Sequence, residues 1–483
     1  MSRSPRVPAP RLLAATGLPL LLAACAFQPA PEIATPTPEL PRAFFYAPEA
    51  GTSAALAALL PNDDPAWRAL SSAALADAPS LAEAAARIDA ARAGARRAGA
   101  ERLPNIGADA SVTRNRINPA QFGAAGQQGF IPREQTSYGA NITASWDPDI
   151  FGRLRAEERA ALARIDAASA QAQGVRLALL AEIAASVIDW RVIEARGQAI
   201  ASDAEAAQAL AGLAKVREDA GIAPGFDRVR AEATASGSAT RLAALESERA
   251  RLVGRLVTLT GQDAASVRAA LEQPSATLAP AGAPATLPSE LLANRPDVAA
   301  AAANLAASDA DLAAAARARF PRITLSGVIG LLAFDPEDFF NDSIVGTLTA
   351  GIAGPLLDFG RVGAGIDAAA ADKRAAFAAY RGAVYQALGD AETAYGIVTA
   401  ADAEAQLALA QRDQLTRAAA IAETRYRAGL ASFLEVLEAR RAADSSGENA
   451  AAALGRAARA RVVLWQALGG DPAPDQAENQ YTP

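Results

Sequence analysis

Hydrophobic and polar positions alternate with a period of two in four stretches of the chain, and with a helical period through most of the rest. From Ile106 to Thr113 the even positions are Ile106, Ala108, Ala110 and Val112, and the odd ones Gly107, Asp109, Ser111 and Thr113. Tyr138, Ala140, Ile142, Ala144 and Trp146 alternate with Gly139, Asn141, Thr143 and Ser145. Ile344, Gly346, Leu348, Ala350 and Ile352 do the same with Val345, Thr347, Thr349 and Gly351, and Ile323 to Leu331 alternates more weakly. Alternation over about nine to eleven residues predicts a strand with one apolar and one polar face, the pattern of a transmembrane β-strand between lipid and an aqueous lumen. A half-buried strand of a soluble sheet alternates identically. Tyr138 and Trp146 near the strand ends, where an aromatic girdle belongs, favour the membrane.

From Gly152 to about Asp219 no proline interrupts a helical pattern that carries Ile183, Val187 and Trp190 on one face, and Gly360 to about Arg427 runs likewise. At 1.5 Å per residue each helix is about 100 Å long, a length that belongs in coiled coils, tubes or stalks. Shorter helices are expected near Ser80 to Arg102 and Phe226 to Thr260. Stacked end to end they would complete a tubular wall, and abundant alanine both favours helix and lets helices approach closely.

The pattern occurs twice. Arg102-Leu103-Pro104 answers Arg319-Phe320-Pro321 at an offset of 217, whereas Phe151-Gly152-Arg153 answers Phe359-Gly360-Arg361 and Ala220-Gly221 answers Ala428-Gly429 at an offset of 208. The change of offset confines a nine-residue excess to the first hairpin. The expected fold is therefore an α+β membrane protein built from a duplicated helix–β-hairpin–helix unit, with structural turns at Pro104, Gly152, Gly221, Pro321, Gly360 and Gly429. Four strands cannot close a barrel, and an open edge in hydrocarbon leaves unpaired backbone groups that cost several kcal/mol each. Three copies would supply twelve strands.

With 483 residues, 51% of them hydrophobic, the chain has material for a large core. Its net charge of −7, with no basic run, argues against a nucleic-acid surface. The absence of histidine and the single cysteine exclude a Ser-His-Asp triad and His- or Cys-ligated metal sites, so no cofactor and no metal are expected. Only carboxylate chemistry survives this filter.

Residues 1–24 carry Arg3, Arg6 and Arg11, a short apolar stretch interrupted by Gly17 and Pro19, and then Ala23 and Ala24, the layout of a secretory signal. Leu22-Ala23-Ala24-Cys25 resembles the bacterial lipobox, which makes Cys25 the candidate lipidation site. Ala26, where an Asp would suggest inner-membrane retention, points to the outer membrane. A proline-rich tether over 25–66 follows. The remaining expected boundaries are a first repeat over 67–261 with its hairpin at 104–150, a linker over 262–289, a second repeat over 290–469 with its hairpin at 321–358, and a tail over 470–483.

The segment Leu287-Pro288-Ser289-Glu290-Leu291-Leu292-Ala293-Asn294-Arg295-Pro296-Asp297 resembles the "LPSELLxxRPD" signature of the TolC/OprM-like outer-membrane factors, in the lipoprotein branch serving RND-type efflux pumps. That resemblance implies a homotrimer whose twelve-stranded outer-membrane barrel is continuous with a long periplasmic α-helical barrel. It also implies a periplasmic adaptor (membrane fusion) protein and an inner-membrane RND transporter as partners. A second match lies over Tyr426 to Ala439, similar to the family's "YxxGxxxxxDVLDA" pattern, with Glu435 and Glu438 where the family has two aspartates ringing the pore. Glu435 and Glu438 share a helix face, and threefold symmetry would bring six carboxylates to one constriction. An ordinary solvated helix face is the plainer reading of the same spacing. Asp227 and Arg230 hold the corresponding places in the first repeat, and with Tyr426, Arg427 and Arg425 they are the candidates for closing contacts.

Two other functions fit parts of the chain. A periplasmic coiled-coil adaptor or scaffold lipoprotein would be alanine-rich, helical and anchored, but has no use for four membrane-length strands. A carboxylate-dependent hydrolase would need a carboxylate pair that the sequence does not identify.

Overall fold

The computed structural model describes residues 31–48, 56–116, 118, 134–222, 224–275, 282–284, 291, 293–340 and 343–470. The signal segment, Cys25, most of the first hairpin tip, much of the Leu287 to Leu292 stretch and the tail after residue 470 lie outside the described residues.

Helix α1 (Pro65–Asp77) starts where the Asp64 carboxylate accepts the Ala66 N–H and Pro65 supplies a preset φ. Then come α2 (Pro79–Ala100), strands β1 (Asn105–Arg116) and β2 (Glu134–Trp146), and α3 (Arg153–Asp219). Helices α4 (Gly225–Thr260) and α5 (Ala264–Leu271) complete the first half. The second half repeats the order with α6 (Pro296–Arg317), β3 (Arg322–Ala333), β4 (Ile344–Ala353), α7 (Arg361–Arg427) and α8 (Phe433–Ala467). The two long helices, α3 and α7, are 67 residues each. Among the described residues no helix is long and apolar enough to cross a membrane.

The chain divides into two units. One consists of Asp89–Asp166, Ala303–Ala378 and the described residues up to Pro36. Its centre is an antiparallel sheet in the order β1-β2-β3-β4. The register sets Ile142 of β2 opposite Ala108 of β1 and Ile329 of β3, and sets Gly327 of β3 opposite Leu348 of β4, so that one face of the whole sheet is apolar. The other carries Asp109, whose carboxylate accepts from the Asn141 amide at 3.0 Å. The weak alternation of β3 has a simple cause: Val328 and Leu332 stand on the polar face. The apolar face is not buried against other described residues, with Val112 69% and Leu348 85% exposed. That separates the two readings of the alternation, because a soluble sheet buries its apolar face. Among the described residues the outer edges of β1 and β4 have no strand partner.

Pro104 and Pro321 stand just before β1 and β3, where a missing N–H costs no ladder bond. Gly152 and Gly360, at φ 78 and 87, turn the chain from each hairpin into its long helix, and Phe151 stacks on Phe320 at 4.8 Å. Asp149 accepts the Leu154 and Arg155 N–H groups, each at 2.9 Å, and Asp358 accepts those of Gly360 and Val362, so both long helices begin on a carboxylate.

The second unit consists of Thr37–Ile88, Ala167–Ala302 and Ala379–Pro483. Ile183, Val187 and Trp190 are buried there, as their spacing predicts, in one cluster with Leu70, Leu256 and Trp465. Within this core Arg191 donates to Asp64 at 2.8 and 3.0 Å and to the Leu271 carbonyl at 2.9 Å. Arg295, from the "RPD" stretch, ties Asp297, Asp390 and the Ala467 carbonyl together at 2.7 to 3.0 Å.

Candidate functional site

The long helices end in two turns of the same construction. In the first, Ile222 N–H reaches the Arg217 carbonyl at 3.0 Å and Gly221 N–H the Glu218 carbonyl at 2.8 Å. In the second, Leu430 reaches Arg425 and Gly429 reaches Tyr426, at 2.8 and 2.9 Å. This nested pair is the Schellman stop, which needs a left-handed residue, and Gly221 and Gly429 supply it at φ 71 and 76. The next helix then starts at Gly225 in one turn and Phe433 in the other.

At the second turn Ser432 and Glu435 form a reciprocal cap on α8. The Ser432 hydroxyl accepts the Glu435 N–H at 3.2 Å, and the Glu435 carboxylate accepts the Ser432 N–H at 2.7 Å. The Ser432 backbone and hydroxyl, with the Arg425 charge, hold the Glu435 carboxyl below the usual range. Phe433, Val436 and Leu437 are buried, so Glu435 and Glu438 fall on the opposite, exposed side of α8. Glu438 has no hydrogen bond or ion pair with any described residue.

Tyr426 is buried in a cluster with Leu210 and Ala214 of α3, Ala231 of α4 and Phe433, Val436 and Leu437 of α8. Its ring meets Phe433 edge to face at 6.0 Å and lies 4.7 Å from the guanidinium carbon of Arg217. The turn of the second repeat is thus seated on the helices of the first. Arg427 pairs with Glu423, which also holds Arg440.

At the first turn Arg228 holds Glu218 and Glu232, both at 2.9 Å. Asp227 gives its N–H to the Pro224 carbonyl at 3.2 Å, and the guanidinium of Arg230 lies 5.2 Å from the Phe226 ring. Within one chain, then, Asp227 and Arg230 pair neither with each other nor with Arg425 or Arg427. What the chain brings together at this end is Tyr426 with Arg217, and Glu435 with Ser432.

Sequence reasoning missed Arg217, Arg228, Glu423 and Ser432. The Ser432 to Glu435 spacing is a capping-box signature that could have been read directly. Arg217 and Tyr426 are 209 positions apart, and no local signal links them.

Residues 70–262 and 287–470 match the family described as outer membrane efflux protein. The pyoverdine export outer membrane protein OpmQ of Pseudomonas putida is 30% identical over 95% of this chain and 97% of its own length. Among solved structures, the outer-membrane channel OprN aligns with a TM-score of 0.81 at 27% identity, covering 92% of this chain and 99% of that one. The outer membrane protein VceC of Vibrio cholerae aligns with a TM-score of 0.76 at 26% identity, covering 84% and 96%.

Proposed function

This chain belongs to the outer membrane efflux protein family, and from that premise we propose that the two turns ending α3 and α7 form the inner gate of its channel. The protein is an outer-membrane exit channel of a tripartite efflux system, with the trimeric fold of a twelve-stranded β-barrel and a helical barrel that extends into the periplasm. It belongs to a family of transport proteins, and channels of this family are trimers that work with periplasmic adaptors and inner-membrane pumps.

The observation that carries the gate is the division of α8 into two faces: Val436 and Leu437 fasten it to α3, and the opposite face presents Glu435 and Glu438. In a trimer six such carboxylates converge, repel anions and hold cations. The Arg217–Tyr426 contact keeps the turn of the second repeat seated while the gate is shut. Asp227, Arg230 and Arg427, which leave one another unpaired within the chain, are placed to meet groups of adjacent protomers.

The partners we infer are a periplasmic membrane fusion protein and an RND transporter, and the cargo is small exported molecules, of which the pyoverdine named for the relative is one kind. Cys25 carries the lipid anchor. Cross-linking intact cells and purifying the chain tests this reading: a heat-modifiable trimer bringing an adaptor and a pump supports it. Quantitative release of a soluble protein on Cys25→Ala replacement would instead make the chain a periplasmic scaffold. Intact mass of the mature N-terminal peptide reads acylation directly.

A further inference from the structure

Helices α3 and α8 approach along a seam of small residues. A Cβ added at Gly447 would meet the Ala199 Cβ at 3.8 Å, and one added at Gly455 would run into the Val192 side chain. Across this seam Asp203 of α3 and Asp444 of α8 stand within hydrogen-bonding reach of each other. From α8 the charged groups facing Asp203 are Asp444 and Glu448, and from α4 the facing group is Arg241. Arg241 is already engaged, pairing with Glu448 and donating to the Ser238 hydroxyl at 3.0 Å. Glu448 also stands 4.0 Å from Arg196, which is held by Glu248 of α4 at 3.1 Å. Asp203 Oδ2 is buried with no protein donor directed at it. Two carboxylates so placed repel when both are ionised, and a single shared proton converts the repulsion into a hydrogen bond.

We propose that Asp203 keeps its proton at neutral pH and donates it to Asp444, forming a titratable clasp that holds α3 to α8 when protonated and loosens the seam when the proton leaves. Burial, followed by the hydrogen bond and charge of Asp444, pushes the Asp203 carboxyl up to about 8, with Glu448 acting in the same direction and Arg241 against it. The folded chain therefore keeps a proton that the unfolded chain, with Asp near 3.8, has released. The stability that this proton supplies declines as pH rises from about 4 to about 8 and is gone beyond that. Asp444 lies six residues beyond Glu438 on the same helix, so release at alkaline pH loosens the element that carries the gate. That last consequence rests on the gate reading; the clasp itself does not.

Infrared difference spectroscopy of the purified full-length trimer between about pH 6 and about pH 10 reads the clasp directly. The expected result is a protonated-carboxyl carbonyl band that disappears with a midpoint near 8 and is lost in both Asp203→Asn and Asp444→Asn, each checked for trimer and helix content. A band that persists in both variants, or the lack of any band titrating in that range, overturns the proposal. Bilayer conductance is the second readout. Wild type should change across the same range and Asp203→Asn, whose amide donates at any pH, should not. A wild-type conductance that ignores pH while the band titrates overturns the link to the gate and leaves the clasp standing.

Discussion

The guanidinium carbon of Arg217, in the last turn of α3, lies 4.7 Å from the ring centre of Tyr426, in the last turn of α7. At the offset of 208 Arg217 answers Arg425 and Tyr426 answers Glu218, so the contact joins neighbouring places near the ends of the two long helices. It is made by the ring face and by the Tyr426 carbonyl, which accepts from Arg217 Nη1 at 3.5 Å, whereas the Tyr426 hydroxyl is buried without a partner. Tyr426→Phe should therefore be neutral or stabilising by up to about 1 kcal/mol, since a buried unsatisfied group is removed. Tyr426→Ala should cost about 3 kcal/mol by opening a cavity among Leu210, Phe433 and Val436. Denaturant unfolding of the purified trimers gives both numbers, and a large loss in the Phe variant would reassign the hydroxyl a role.

How much of this was legible in the sequence depends on the range of the interaction. Alternation gave the strands to within a few residues, and the unbroken helical period gave α3 and α7, because both are local consequences of which face is buried. The weak signal of β3 has a cause that shows only in the register, with Val328 and Leu332 on the polar face. Glu435 and Glu438 were legible through a motif, and their exposed placement follows from the buried residues between and beside them. The seats of Arg217 and Asp203 and the Glu423–Arg440 pair were not legible, since each depends on a partner one or more helices away.

The Ser432–Glu435 cap gives the proposed gate an acid limit. The Glu435 carboxyl is depressed, so its charge, and the stability drawn from the cap, are fully present above its ordinary value of 4.5 and are lost only as pH falls through the lower folded value. Cation block of the channel should accordingly persist below about pH 4.5 in wild type. Ser432→Ala should cost about 1 kcal/mol at the start of α8 and move the loss of block to higher pH. Titrating the block in single-channel records measures the shift, and equal acid limits in the two proteins would detach Glu435 from the block.

The pairing of the two hairpins hinges on Gly330. A Cβ there would lie 2.8 Å from the Asn141 Cα and would also collide with the Ala140 carbonyl oxygen, so β2 and β3 could not keep their register. Gly330→Val should cost about 3 kcal/mol and deplete the heat-modifiable trimer on gels. A normal trimer yield would show that the seam tolerates a side chain.

Arg191 and Asp64 are both buried and joined by two hydrogen bonds at 2.8 and 3.0 Å. Arg191→Met leaves the Asp64 carboxylate buried without its cation and should cost about 3 to 5 kcal/mol. The double variant with Asp64→Asn should recover part of that loss, which a double-mutant cycle of unfolding free energies detects. Strict additivity would contradict a direct pair.

The central claim is that Glu435 and Glu438 ring the inner mouth of an outer-membrane channel. Purified trimers inserted in planar bilayers, wild type against the Glu435→Ala and Glu438→Ala double variant, test it most directly. The account predicts that wild type opens discrete channels blocked by divalent or trivalent cations, and that the variant conducts more and loses the block. Identical conductance and block in the two proteins would contradict it.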